Sequence, residues 1–312
     1  MVDEVLQASD IMKSAKALVK HFKKANLMIK LPKRLSQSVK TRWNSSLNML
    51  QSIECTWADI SQLLIDRDEL DYLNGISRLA VQELIEYLKR FKEASDCLEA
   101  DTHPTIHLVL AWYSRLEAHM GKTCAEDSEM IKHMKLVGLR AISKKWGERL
   151  KAIHYASVLL DPRAKNSKKM TTDQRDAGKN FIGEIYELVN GRKGIEGVVP
   201  VAEVEDDFYC SRNDQLNELD TYLLEPGMIL EKPEELLNYW RGRKTDLPGL
   251  SNTARAILTV PASSAASERS FSEAGFIINV RRTTLNPESV NKLLFLRSAN
   301  KAQLPFGEEE DD

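Results

Sequence analysis

The sequence has little of what marks a zinc-binding, disulfide-bonded or membrane-spanning protein. Its four cysteines are widely separated and form no CxxC pair, which argues against a zinc finger and against a disulfide framework. No run approaches the roughly 18 apolar residues of a membrane helix, and the N-terminal segment lacks the apolar core of a signal peptide. The sequence therefore predicts an intracellular protein with reduced thiols and no membrane partner.

An excess of either charge is also missing, because 44 Lys and Arg residues stand against 46 Asp and Glu residues. A polyanion-binding surface must then come from local segregation of charge. Residues 13–42 show such segregation, with ten Lys or Arg residues and no acid. The candidate DNA contacts are Lys13, Lys16, Lys20, Lys23, Lys24, Lys33, Arg34, Lys40, Arg42 and Trp43. Clustered cations gain by releasing counterions from nucleic acid, and the alternative is a solvated helix face with a basic loop.

Apolar residues at helical spacing, with few alternating β-branched runs, predict a mainly α fold. The predicted helices are 11–30, one opening at Thr41, 57–65, 77–100, 103–120, 128–143, 146–159 and 172–190. Residues 191–207 lose this periodicity and turn acidic, which predicts a mobile linker. The cluster from Lys165 to Lys169 is interpreted as a solvated loop. His103 and His107 are four residues apart, but no acid or cysteine at a suitable distance accompanies them, so no metal site is expected.

Residues 247–300 are predicted to form three helices with a large apolar surface. The helix signals, in chain order, are Ser251 as a cap, Pro261 as a stop, Gly275 as a stop, and Asn286 with Pro287 as a cap and first turn. The apolar residues that need a partner are Phe271, Phe276, Ile277, Ile278, Val290, Leu293, Leu294 and Leu296. That partner is either the rest of this chain or a second copy.

Several motifs in this stretch occur together. They are Leu247-Pro248, the run PASSAASERSFS at 261–272, Gly275, Arg281-Arg282, Leu285 and the helix 287–296; upstream stand Thr41-Arg42-Trp43-Asn44-Ser45 and Leu160-Asp161-Pro162-Arg163. Together they resemble the C-terminal half of hAT-family transposases (the Ac/Hobo/Tam3 superfamily) and the BED-type zinc finger host proteins derived from them. The resemblance implies homodimerisation through the C-terminal region and a helical insertion domain that interrupts an RNase H-like core.

The motifs and composition together divide the chain. The predicted parts are a basic helix and loop at 1–40, a helical insertion-type domain at 41–190, an acidic flexible linker at 191–235, a dimerisation region at 236–300 and an acidic disordered tail at 301–312. For Trp43 the resemblance implies a place near a DNA end, where an aromatic ring can stack on an unpaired base; the alternative is a core anchor. Asp161 is structural by its position in the family pattern.

For catalysis the resemblance implies three carboxylates that hold two divalent metal ions. Glu268 matches the third carboxylate, and the first two are expected upstream of Thr41, where the only aspartates are Asp3 and Asp10. The N-terminal BED finger of the family is not found in this sequence either. Because one carboxylate cannot assemble a two-metal site, Glu268 is interpreted as a relic. Its alternative role is that of a first-turn helix glutamate, favoured by the helix dipole.

The leading hypothesis is a transposase-derived, catalytically inactive nuclear protein that homodimerises through its C-terminal region and contacts DNA through residues 13–43. One alternative is a fragment of an active hAT DNA transposase that cuts and transfers strands with Mg²⁺. Another is a helical protein-interaction scaffold without DNA binding. No cofactor is expected outside an intact transposase, and no small-molecule substrate is expected. The fold is expected to be mainly α, with at most a few short strands left of the RNase H-like core.

Overall fold

A computed structural model describes residues 3–39, 43–191, 214–232, 235–278 and 286–301. Within these ranges the α-helices are α1 Asp3–Lys24, α2 Trp43–Cys55, α3 Trp57–Ile65, α4 Arg78–Leu98, α5 Leu108–Gly121, α6 Glu129–Arg149, α7 Ala152–Leu159, α8 Thr172–Asn190, α9 Asp214–Leu224, α10 Glu235–Gly242, α11 Pro248–Leu258, α12 Ala265–Ile277 and α13 Pro287–Lys301. Two short 3-10 turns follow α1 and α3. The described ranges contain no β-strand, so the prediction of a mainly α fold is confirmed.

Local capping chemistry sets two of the helix starts. At the start of α8, Thr171 Oγ1 accepts from the N–H of Gln174 at 3.3 Å, and the Thr171 N–H donates to Gln174 Oε1 at 3.1 Å. This reciprocal capping box satisfies two backbone donors. At the start of α13, Asn286 Oδ1 accepts from the N–H of Ser289 at 2.7 Å, and Pro287 occupies the first helical position. Both helices begin where the sequence predicts.

The first hydrophobic core is formed by α1 to α4, the C-terminal end of α5 and the N-terminal half of α6. Its buried side chains include Leu18, Phe22, Leu50, Ile60, Leu84, Met120 and Ile131. Because α1 buries Leu18 and Phe22 in this core, the lysines on its other face point to solvent. The predicted division at residue 40 therefore does not coincide with a division in packing.

The second hydrophobic core is formed by the N-terminal half of α5 together with α7 to α11. Trp240 is fully buried near its centre and donates its indole N–H to the carbonyl of Leu160 at 2.9 Å. The Trp240 ring lies 5.0 Å from the ring of Tyr222. Since α5 supplies Leu110 to this core and Met120 to the first, it joins the two cores. Both cores include residues from the predicted 41–190 domain.

A helix occupies part of the predicted 191–235 linker. This helix, α9, buries Leu219 and the whole of Tyr222 in the second core. The backbone carbonyl of Tyr222 accepts from Lys165 Nζ, and that ammonium lies 4.1 Å from the Tyr222 ring centroid. Lys165 is only 1% exposed, so its interpretation as part of a solvated loop is wrong. Residues 192–213, which hold most of the acidic run, lie outside the described residues.

Other predicted helix boundaries also differ from the structure. Helix α5 begins at Leu108 rather than His103, because a proline at 104 disfavours helical backbone at the residue before it. Helix α6 continues to Arg149 through the predicted gap at 144–145, where neither residue is a helix breaker. Ser251 lies inside α11 and donates to the carbonyl of Trp240 instead of capping the helix. Helix α12 runs past Gly275 to Ile277.

Candidate interaction surfaces

Helices α12 and α13 pack against each other and form what we call the C-terminal arm. Polar contacts tie its base to the rest of the chain. The N–H of Ala262 donates to Thr105 Oγ1 at 3.0 Å, just before α12. Arg269 donates to the carbonyl of Glu99 at 3.2 Å and pairs with Asp101 at 3.0 Å. These contacts fix the start of the arm on the end of α4 and on the segment that follows it.

Beyond this base the arm presents large apolar side chains to solvent. Phe271 is 76% exposed and Phe295 is 67% exposed. Ile278, Leu293 and Leu296 are exposed as well. Single exposed apolar residues are ordinary, whereas several together on one small element mark an interaction surface. The arm is therefore the candidate site for association with another molecule.

The residues predicted to lie at the interface differ in their exposure to solvent. Phe271, Ile278, Leu293 and Leu296 are exposed, Ile277 and Leu294 are half-buried, and Val290 is buried. The side chain of Phe276 lies outside the described residues. Val290 is thus covered within this chain, and the exposed residues of the set are accessible to a partner. Sequence reasoning missed Phe295, because helical spacing from Leu293 and Leu296 did not place it on the same stripe.

The predicted DNA contacts on α1 form an exposed basic face. Lys13 pairs with Asp10 at 2.9 Å, and Lys23 donates to Gln37 at 3.3 Å. Exposed members of the set are Lys13, Lys16, Lys20, Lys23, Lys24, Lys33 and Arg34. Among the residues that the structure describes, no acid pairs with Lys16, Lys20 or Lys24. Lys40 and Arg42 lie outside the described residues; Trp43 opens α2, but its side chain is not described.

Glu268 lies in the first turn of α12 and is exposed. Its Oε1 accepts from the hydroxyl of Ser264 at 3.1 Å, and its backbone N–H donates to the carbonyl of Ser264 at 3.0 Å. These are the surroundings expected of a first-turn helix glutamate. In the described ranges, no group of three or more His, Cys, Asp and Glu side chains could hold a metal ion.

Asp161 sits in a buried polar network. Its Oδ1 accepts from the backbone N–H of Arg163 at 3.0 Å and from Arg163 Nε at 2.9 Å. Arg163 Nη2 also donates to Nε2 of His107 at 3.1 Å. Burial lowers the pKa of His107 to about 4 although the Asp161 carboxylate, 3.7 Å away, opposes this shift. The donated hydrogen bond requires an unprotonated Nε2, in agreement with the lowered pKa.

The exposed arm lies within a recognised family region. Residues 218–299 match the hAT family C-terminal dimerisation region, which spans α9 to α13 here. The resemblance that the motifs predict is confirmed, and residues 218–299 are similar to this dimerisation region. The matched region includes α9, which the sequence prediction had assigned to the linker. None of the helices in the described ranges is long and apolar enough to cross a membrane.

Relatives of the chain include both transposases and zinc finger proteins. It is 25% identical to "Putative AC transposase" of Zea mays, an alignment that covers 84% of this chain and 36% of that protein. It is 26% identical to "Zinc finger protein 618" of Homo sapiens, over 82% of this chain and 27% of that protein. It is 24% identical to "Zinc finger BED domain-containing protein DAYSLEEPER" of Arabidopsis thaliana, over 88% and 42%. The chain therefore spans less than half the length of each of these relatives.

Proposed function

We propose that this chain is a transposase-derived nuclear protein that homodimerises through the C-terminal arm, contacts DNA through the basic face of α1 and performs no catalysis by itself. The observation that carries the proposal is the exposure of Phe271 and Phe295 inside the region that matches a family dimerisation region. The nuclear assignment is supported by relatives whose names include transposases and zinc finger proteins.

Self-association has a clear physical drive. Fully burying a phenylalanine side chain contributes about 1.5–3 kcal/mol, and two arms would bury their exposed apolar residues together. A closed two-fold dimer uses the same surface on both copies, so each apolar residue of the interface is buried once on each copy. Arg269 and its partners hold the base of the arm, while the exposed side chains of Phe271 and Phe295 are accessible to a second copy.

Replacing Phe271 and Phe295 together by aspartate is expected to convert the dimer into a folded monomer. A charge buried without a partner is costly, so we expect the dimer to weaken by at least about 100-fold. Sedimentation velocity over a range of micromolar concentrations measures this change, and circular dichroism checks the helical content.

Leu79→Asp is the matched control for the arm variant. Leu79 is 66% exposed on α4, outside the matched region, so this substitution places a charge on an exposed apolar site without touching the arm. The control should sediment like wild type. An arm variant that also sediments like wild type would contradict dimerisation through the arm.

The DNA part of the proposal is supported by the lysines of α1 that lack an acidic partner among the described residues. A lysine that already pairs with a carboxylate gains little from a phosphate, whereas Lys16, Lys20 and Lys24 are free to replace counterions on DNA. Their spacing of four residues repeats along one helix face, so several phosphates can be contacted by one helix.

Replacing Lys16, Lys20 and Lys24 by glutamine is expected to weaken DNA binding and its dependence on salt. Each lost phosphate contact lowers the slope of log affinity against log salt by roughly 0.9, so a decrease of about 2–3 is expected. Fluorescence anisotropy with a duplex of mixed sequence measures the slope. Wild-type protein that does not bind the duplex would favour the scaffold without DNA binding.

The proposed lack of catalysis is supported by the exposed position of Glu268 and by its hydrogen bonds with Ser264. We expect this chain to leave a labelled duplex uncut in the presence of Mg²⁺. Metal-dependent strand cleavage that is lost in Glu268→Gln would instead support the alternative of an active transposase, in which this carboxylate holds a metal ion.

A further inference from the structure

A second basic surface lies on the last three turns of α6. Its members, which we call the α6 ridge, are Arg140, Lys144, Lys145 and Arg149, and all of them are exposed. Among the residues that the structure describes, none of these cations forms an ion pair. Glu148 is the one acid in residues 136–149, so this segment carries a clear positive excess.

The α6 ridge differs from the charged face of α4 and from the first turns of α6. On α4, Lys89 pairs with Glu86, Arg90 with Glu93 and Lys92 with Asp96. In the first turns of α6, Lys132 pairs with Glu129 and Lys135 with Asp127. Each of these lysines and arginines is therefore neutralised by a nearby carboxylate. In the α6 ridge, by contrast, Glu148 is the one acid among the four cations, and it forms an ion pair with none of them in the part of the chain that the structure describes.

The helix dipole does not account for the ridge. Cations are stabilised in the last turn of a helix by the partial negative charge of its terminal carbonyls, and the effect fades beyond that turn. Arg149 is the last residue of α6 and fits this explanation. Arg140, Lys144 and Lys145 lie further from the helix end, so their position needs another reason.

The spacing of the ridge suits an extended polyanion. Arg140 and Lys144 are four residues apart, as are Lys145 and Arg149, so the cations form two pairs, which lie about 140° apart around the helix at 3.6 residues per turn. Nine residues of helix cover roughly 14 Å at 1.5 Å per residue. Duplex DNA carries one phosphate per roughly 3.4 Å on each strand, and several phosphates therefore fall within reach of this length.

We propose that the α6 ridge is a second contact for the phosphate backbone of nucleic acid, distinct from the basic face of α1. This inference rests on the proposed DNA binding and adds a second surface to it. Helices α1 and α6 pack against each other, so the two basic surfaces lie on neighbouring helices. Phosphodiester backbone is the shared chemistry of the two possible ligands, duplex and single strand.

The test compares ridge, α1 and control variants by fluorescence anisotropy at several salt concentrations. The ridge variant replaces Arg140, Lys144 and Lys145 by glutamine, and the control replaces Lys89, Arg90 and Lys92 by glutamine. The probes are a 30-base-pair duplex and a single strand of the same length. For at least one probe the ridge variant should lower the salt slope by about 2–3, while the control, whose cations are already paired, changes it by much less.

Each outcome either supports or contradicts the proposed contact between the α6 ridge and nucleic acid. A ridge variant with the wild-type slope for both probes overturns it, and so does a control that loses as much as the ridge variant, because the effect would then be one of net charge. If only the variant of Lys16, Lys20 and Lys24 lowers the salt slope, the proposed contact of the α6 ridge with nucleic acid is wrong, and the proposed DNA binding through α1 still holds. The charge-conserving variant Arg140→Lys, Lys144→Arg and Lys145→Arg should bind like wild type.

Discussion

Replacing Trp240 by alanine is expected to lower the free energy of unfolding by about 3–5 kcal/mol. The indole is fully buried between Tyr222 and Tyr239, with ring centroids 5.0 Å and 5.3 Å away. Its N–H donates to the carbonyl of Leu160, so truncation leaves both a cavity and an unpaired buried acceptor. This one side chain links α9, α10 and the end of α7.

Urea unfolding followed by circular dichroism measures the Trp240 effect. Trp240→Phe is the matched control, because it keeps an aromatic ring in the core and removes the N–H donor. We expect Trp240→Phe to cost clearly less than Trp240→Ala. A loss below about 1 kcal/mol for alanine would mean that Trp240 is not at the centre of the second core.

Acidification from pH 7 to pH 4 is expected to remove about 3 kcal/mol of stability through His107. The pKa of His107 falls from its ordinary 6.5 to about 4 on folding, chiefly because the ring is buried, with Arg163 and His103 acting in the same direction. The unfolded chain therefore binds a proton below pH 6.5 while the folded chain does not. The stability that neutral His107 contributes is complete above pH 6.5 and is lost towards pH 4. The size of this loss follows from the pKa shift of His107, because each pKa unit corresponds to about 1.36 kcal/mol.

The control for this pH effect is His107→Gln, which keeps an acceptor for Arg163 and does not titrate. Carboxylates elsewhere titrate in both proteins, so the informative quantity is the difference in unfolding free energy between wild type and variant. This difference should shift against wild type by about 3 kcal/mol between pH 7 and pH 4. A constant difference would contradict a buried, neutral His107.

The helices that the sequence predicts best are those with both strong periodicity and a local signal at the end. Thr171 and Gln174 form the box that opens α8, and Asn286 with Pro287 opens α13. The prediction fails where a contact with a residue far away in the sequence determines whether a segment is helical or buried. Tyr222 and Lys165 stabilise each other across the second core, and neither a linker composition nor a lysine cluster indicates that contact.

The candidate surfaces were predictable in location but not in detail. A stripe on α13 shows which residues are apolar, but whether another helix covers them depends on tertiary packing. Val290 is covered and Phe295 is not. The α6 ridge escaped sequence reasoning because a helix break was predicted at 144–145. Without a continuous α6, Arg140 and Arg149 do not belong to one helix.

Hydrogen–deuterium exchange of the wild-type protein, at concentrations below and above dimer formation, tests most directly that two copies meet through their arms. If two copies meet through their arms, peptides covering α12 and α13 should exchange more slowly when the dimer forms, with α4 unchanged as an internal reference. Burial of backbone amides at an interface is what slows their exchange. Dimer formation without added protection in the arm would contradict dimerisation through α12 and α13.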